Sequence, residues 1–165
     1  MIGSFTSQKR QIELIDLIEK KNFLEFTFIG EGQSRLKVET EVKNRGLDNR
    51  IFFTGAISSE EVVHILRESD LYLHSVAWEG FGISILEAMK LGLPILASNV
   101  EGLSEVIQNN EMLIESFQSQ KASHLITKLY EDNSYYLAAS KNSYEKSRKF
   151  DINKSIKLYD KLYSS

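Results

Sequence analysis

The sequence contains no cysteine, which excludes a disulfide scaffold, a thiolate zinc site and a cysteine nucleophile. Its three histidines, His64, His74 and His124, lie far apart and give no metal-ligand spacing, so no metal site is expected. There is one proline, with no internal repeat and no low-complexity stretch, and hence no sign of an internal linker. No run approaches the ~20 apolar residues that span a bilayer, and the start lacks a basic region followed by an apolar run. These absences give the expectation of a cytoplasmic domain without a transmembrane segment. Charge of one sign is lacking too: 20 Lys plus Arg oppose 23 Asp plus Glu, for a net charge of −3. The basic runs are pairs such as Lys9-Arg10 and Lys20-Lys21, so nucleic acid is not an expected partner.

What is present suffices for one core. At roughly 150 residues per domain, a chain of 165 residues is read as a single domain spanning residues 1–165. Hydrophobic residues make up 42%, with nine Phe, seven Tyr and one Trp, which excludes disordered and fibrous classes.

Along the chain, strand and helix patterns alternate. Residues 1–5 read as the end of a strand that the chain enters abruptly. Residues 8–20 read as a helix with Ile12, Ile15 and Ile18 at three-residue spacing. Strands are expected at 24–29, 50–53, 71–75, 94–97 and 112–114, and helices at 34–45, 58–67, 82–91 and 103–108, with only helical patterns after the last strand. Ser58 followed by Glu61 fits a capping box. About six alternations predict a mostly parallel sheet with helices on both faces, because parallel neighbours need a crossover and a helix is the usual one. The expected fold is α/β, a Rossmann-like doubly wound sheet of about six strands with a helical C-terminus.

The segment W-E-G-F-G-I-S-I-L-E-A-M, residues 78–89, carries the chemistry. Its glycines, Gly80 and Gly82, let the backbone approach a ligand. The N–H groups of Gly82, Ile83 and Ser84 would point outward at the positive end of a helix, an anion site suited to phosphate. Glu87 falls about 7 Å further along the axis at about 1.5 Å per residue, while Glu79 precedes the turn. The order is carboxylate, anion site, carboxylate. Carboxylates accept from vicinal hydroxyls, so this order suits a sugar, a pyrophosphate and a ribose in line, the layout of a nucleoside diphosphate sugar.

With these residues in view, the sequence resembles the C-terminal half of the family 4 retaining glycosyltransferases, whose E-x7-E element is matched by Glu79 and Glu87 around G-F-G. The resemblance starts at G-S-F-T-S-Q-K (residues 3–9), runs through I-G-E-G (29–32) and I-F-F-T-G (51–55), and includes G-L-P-I-L-A-S (92–98). It implies half of a GT-B fold that binds the donor, with an acceptor-binding N-terminal domain that is not in these residues as the missing partner. It further implies that Glu79 contacts the transferred sugar, that Gly80 and Phe81 lie against the donor, that the amides of Gly82, Ile83 and Ser84 hold the pyrophosphate, and that Glu87 accepts from the ribose. Lys9 matches the family lysine on the donor diphosphate, and its position with Arg10 at a helix N-terminus, where cations are disfavoured, independently suggests an anion there. Residues 54–57, with Ala56 and Ile57, would line the base pocket.

The chain also departs from the family pattern. Ser4 stands where many members carry a second arginine for the diphosphate, and Arg10 is the candidate replacement. His74-Ser75-Val76-Ala77-Trp78 stands where proline-serine often precedes the glutamate. His74 is set aside as a packed residue at a strand end. Glu101 replaces the first of a glycine pair.

The implied activity is metal-independent transfer, with retention, from a UDP- or GDP-linked sugar in glycan or glycolipid synthesis, with no cofactor beyond the donor substrate. Lys9 and the helix dipole would stabilise the departing diphosphate. The domain alone is expected to be nearly inactive, and the full-length protein is expected to associate peripherally with the inner membrane face. Residues 153–163 would return as an apolar helix toward the missing domain. Two rival readings remain: a dinucleotide-dependent oxidoreductase, suggested by Gly30-Glu31-Gly32 but lacking a third glycine at Arg35, and a noncatalytic nucleotide-binding module. No P-loop motif occurs.

Overall fold

Strand pairing is parallel throughout the described residues, 1–150 of a computed structural model. In chain order the elements are α1 (Gln11–Glu19), β1 (Phe26–Phe28), α2 (Arg35–Asn44), β2 (Ile51–Phe53), α3 (Ser59–Arg67), β3 (Tyr72–His74), α4 (Ile83–Lys90), β4 (Ile95–Ser98), α5 (Glu101–Ile107), β5 (Leu113–Ile114), α6 (Gln120–Glu131) and α7 (Asn133–Ser147). Short 3-10 turns at Ser7–Lys9 and Asn110–Met112 precede α1 and β5. The expected helix at 153–163 lies outside the described residues.

The strands form two ladders rather than one continuous sheet of six. β1 pairs with β2, Phe26 opposite Ile51, while β4 lies between β3 and β5, with Tyr72 opposite Ile95 and Ala97 opposite Leu113. The segment expected to supply the first strand runs beside β1: the Met1 amine donates to Thr27 O at 2.8 Å, and Gly3 N–H to Ile29 O at 2.9 Å. On its other side Ile2 N–H donates to the Tyr72 hydroxyl at 3.1 Å instead of to a β3 carbonyl, so backbone pairing stops there. A cavity of about 750 Å³ separates β1 from β3 beneath it, walled by Met1, Thr27, Phe52, Leu71, Leu73 and Tyr136.

The spatial order is thus β2, β1, residues 1–5, β3, β4, β5. The chain runs outward to β2 and then crosses through α3 to β3. The order reverses between residues 1–5 and β3, and in open α/β sheets ligands bind at the carboxyl ends of the strands flanking such a reversal.

Burial follows position in this frame. Each residue of β3 and β4 is buried, as expected for strands covered on both faces, whereas β2 exposes Phe52. The buried stripe of α1 is Gln11, Leu14, Ile15, Leu17 and Ile18, with Ile12 only packed against its margin. The three-residue spacing of isoleucines therefore marks the edge of the true stripe, which the leucines complete at helical period. Phe5, Phe28 and Phe53 cluster at 5.4–5.9 Å between ring centres, tying residues 1–5 to β1 and β2. The capping box at the start of α3 is closed, with Glu61 N–H on Ser58 Oγ at 3.3 Å and Ser58 N–H on Glu61 Oε2 at 2.9 Å. α7 lies across α4, α5 and α6.

Candidate functional site

The turn after residues 1–5 and the loop after β3 meet at the reversal of strand order. Lys9 Nζ donates to Glu79 Oε2 at 2.6 Å, joining residues 70 apart in sequence. Backbone and side-chain bonds fix both partners. Ser75 Oγ donates to Lys9 O at 2.8 Å, Ala77 N–H to Gln8 O at 2.8 Å, and Gln8 Nε2 to Trp78 O at 2.8 Å. Arg10 adopts a left-handed conformation (φ +44°) that ends the 3-10 turn and starts α1.

Electrostatically, Lys9 and Glu79 neutralise each other in a half-buried place. Burial pushes the Glu79 carboxyl upward, but the Lys9 ammonium, His74 and the Gly80 N–H outweigh it and hold the carboxyl below its ordinary range. His74 is buried at the end of β3 with Nε2 at 3.5 Å from the same Glu79 oxygen. Desolvation, with Lys9 repulsion adding to it, lowers His74 to about 4, so it is neutral near pH 7.

Beyond this pair the chain turns at Gly82 (φ +75°), where a Cβ would also sit 2.7 Å from Leu103. Gly82 thus serves the turn and its packing, whereas Gly80 faces open space, free for a ligand to approach. α4 starts at Ile83 with no side-chain cap among the described residues. Among the described residues, no protein acceptor is recorded for the N–H groups of Gly82, Ile83 and Ser84, which form the exposed positive end of α4. Ser84 Oγ accepts from the Tyr72 hydroxyl at 3.0 Å. Glu87, one turn into α4, is exposed and has no ion pair among the described residues. Trp78, Phe81 and Ile83 form an exposed apolar rim, 44–68% accessible.

Not every expected residue joins this centre. Arg10 turns to Glu13 at 3.6 Å rather than toward Glu79. Ser4 is exposed on the approach, its carbonyl taken by Gln11 Nε2 at 3.2 Å. Ala56 and Ile57 follow β2 on the same carboxyl-terminal edge, outside the hydrogen-bonded cluster of Lys9 and Glu79. Gln8, Ser75 and Gly102 belong to the site although the sequence pattern did not single them out, and His74, set aside there as a packed strand-end residue, is buried beside Glu79. A Cβ on Gly102 would fall 2.2 Å from Glu79 O and 2.3 Å from Gly80 O, so α5 can close under the turn only through a glycine. Gly30 and Gly32 likewise sit where a Cβ would strike the backbone of residues 3–5 within 2.6 Å, which accounts for the G-x-G pattern without a dinucleotide.

The sequence model "Glycosyl transferases group 1" matches residues 1–146. This chain belongs to that family. The group 1 domain is 32% identical over 162 residues to an uncharacterized glycosyltransferase of Methanocaldococcus jannaschii, covering 94% of this chain and 40% of the relative. It is 29% identical to a second from the same organism, covering 98% of this chain and 46% of the relative. The domain therefore spans under half the length of these relatives. Among solved structures it superposes on Anabaena HepE in complex with UDP and glucose, with a TM-score of 0.86 at 24% identity, over 99% of this chain and 48% of that one. It also superposes on the catalytic domain of Helicobacter pylori cholesterol-alpha-glucosyltransferase, with a TM-score of 0.82 at 20% identity, over 92% and 96%. These likenesses establish the fold as a Rossmann-like half of the GT-B type. Among the described residues, no helix of the group 1 domain is long and apolar enough to cross a membrane.

Proposed function

We propose that this group 1 domain is the C-terminal, donor-binding half of a family 4 retaining glycosyltransferase that takes its sugar from a UDP- or GDP-linked donor. The observation that carries this is the Lys9–Glu79 pair at 2.6 Å beside the uncapped start of α4, at the reversal of strand order. In this reading Lys9 leaves Glu79 for the diphosphate, and the Gly82, Ile83 and Ser84 amides hold the phosphate oxygens from the other side. Gly80 and Phe81 lie against the donor, Glu79 accepts from hydroxyls of the transferred sugar, and Glu87 accepts from the ribose. Ser4 and Arg10 lie on the approach to the diphosphate, and Ala56 and Ile57 face the base. Charge growing on the departing diphosphate meets a fixed ammonium and aligned amides, so transfer proceeds without a metal. UDP is favoured over GDP because the structures of HepE, with UDP and glucose, and of the pneumococcal O-GlcNAc transferase GtfA, with UDP and GlcNAc, share this fold.

Ligand-detected NMR with UDP, UDP-glucose, GDP-mannose and NADH in parallel tests the assignment. Saturation transfer to a UDP or GDP compound and none to NADH is the expected result. Preferential NADH binding would replace this reading with that of a dinucleotide-dependent oxidoreductase.

A further inference from the structure

His74 is fully buried, yet among the described residues neither of its ring nitrogens has a hydrogen-bond partner. An imidazole carries at least one N–H and, when neutral, one lone pair, and leaving both unmet away from water is costly. A buried polar group left unmet in one state of a molecule calls for an explanation, and a catalytic or binding role is one of those expected. The nearest acceptor is Glu79 Oε2, at 3.5 Å from His74 Nε2, too long for a hydrogen bond and occupied by Lys9 at 2.6 Å. One carboxylate oxygen thus faces two cation-forming groups, and Lys9 holds it.

Among the described residues, the remaining surroundings offer His74 no other counter-charge. The Met1 amine facing it is pushed down to about 5 by burial and is uncharged near pH 7. On its own strand Tyr72 stacks against the ring at 6.0 Å between centres, and burial pushes that phenol up to about 12, so it stays neutral. Glu87 on α4 acts on the Tyr72 phenol. From β4, Ala97 is opposite in register, and the Ser98 hydroxyl is engaged by Val76 N–H at 2.9 Å.

A diphosphate entering the site competes for Lys9. Once Lys9 turns to it, Glu79 is left half-buried and unpaired, while the repulsion that keeps His74 neutral weakens. We propose that His74 is the positioning residue that takes over Glu79 in the donor-bound state: Nε2–H closes onto Glu79 Oε2, the ring takes up one proton from solvent, and donor binding is coupled to that uptake. Charge then balances pairwise, with Lys9 on the diphosphate and the imidazolium on Glu79. A shift of under an ångström in the Glu79 side chain brings 3.5 Å into the range of a charge-assisted bond. The sugar-facing carboxylate would thereby keep its place when its first partner leaves. This rests on the donor reading above.

Isothermal titration of UDP-glucose and of GDP-mannose, whose diphosphates have no ionisation near neutral pH, is performed at pH 6.5 in MES and in imidazole, neither of which competes as a phosphate, with whichever compound binds. The difference in heat between buffers reports proton exchange. We expect uptake approaching one proton in the wild-type chain, none in His74→Asn or His74→Gln, and affinity falling up to tenfold per pH unit above pH 6.5 in the wild type only. In parallel, the imidazole nitrogen shifts of His74 in the unmodified chain should move from the neutral to the doubly protonated pattern on saturation, which needs no variant to fold. Binding with no proton uptake and an unmoved His74 signal would overturn this inference and leave the donor assignment standing. No binding of either compound would overturn both.

Discussion

At the scale of single residues, the group 1 domain stores its site in a self-neutralised form. Lys9 and Glu79 satisfy each other until a stronger anion separates them, while His74 waits neutral beside them. This makes His74 a residue through which acid weakens the fold. Its folded pKa is lowered to about 4 against an unfolded value of about 6.5, so as pH falls the unfolded chain binds the proton first. Stability is expected to fall between pH 6.5 and pH 4, with this residue adding up to about 1.4 kcal/mol per pH unit, and His74→Gln should flatten that part of a chemical-denaturation profile. An unchanged profile in a folded His74→Gln variant would contradict the assignment of a buried neutral imidazole. Glu79 works in the same direction, since its carboxyl, held below its ordinary range, loses the Lys9 pairing once acid protonates it. The carboxylate spacing was legible in the sequence because it is local, within one strand-turn-helix passage. The Lys9–Glu79 contact spans 70 positions and was not legible; the sequence marked Lys9 itself, through the family match and as a cation placed at a helix start, where it is disfavoured. Arg10 met the same criterion and proved to have a local partner, Glu13. Chain position alone does not distinguish a cation that faces a ligand from one that turns along its own helix.

At the scale of elements, the site depends on how close α5 and the 79–82 turn can come. Gly102→Ala would place a Cβ against two backbone carbonyls at 2.2 and 2.3 Å, neither of which can rotate away. The turn must shift, with a stability loss of about 1–3 kcal/mol and weaker donor binding, measurable by thermal melting and titration. Gly80→Ala meets open space and should leave the melting temperature nearly unchanged. Equal effects of the two substitutions would contradict this packing. Sequence periodicity located α1 to α5 and all five strands, with ends within three residues of those observed, and read α6 and α7 only as an undivided helical stretch. It placed α5 at 103–108, whereas α5 is Glu101–Ile107, because the helix begins directly after the extended Val100, two residues ahead of the apolar pattern. The first strand was the exception. Its backbone pairs on the β1 side only, since Ile2 N–H goes to a tyrosine hydroxyl, a side-chain choice that alternation of apolar residues does not encode.

For the whole molecule, the parallel order puts the loops after β1, β2, β3 and residues 1–5 on one edge, so a donor would lie across it with one side uncovered. The exposed rim of Trp78, Phe81 and Ile83 borders that side. The chain covers 40% and 46% of the two archaeal relatives, which is consistent with the proposed acceptor-binding half lying outside these residues. We therefore expect the 165-residue chain to bind donor nucleotide but to show no turnover with acceptors supplied in solution, as followed by release of UDP. Transfer above the hydrolytic background would show that half a cleft is enough.

The central claim is that Lys9 exchanges Glu79 for the donor diphosphate, and it is tested most directly by the affinity of UDP-glucose for the wild-type chain and for Lys9→Ala. A charge-assisted bond contributes about 1.5–3 kcal/mol, so affinity should fall by roughly ten- to hundredfold, with the circular dichroism unchanged. Equal affinity in the two proteins would contradict the account and place the diphosphate elsewhere on the domain.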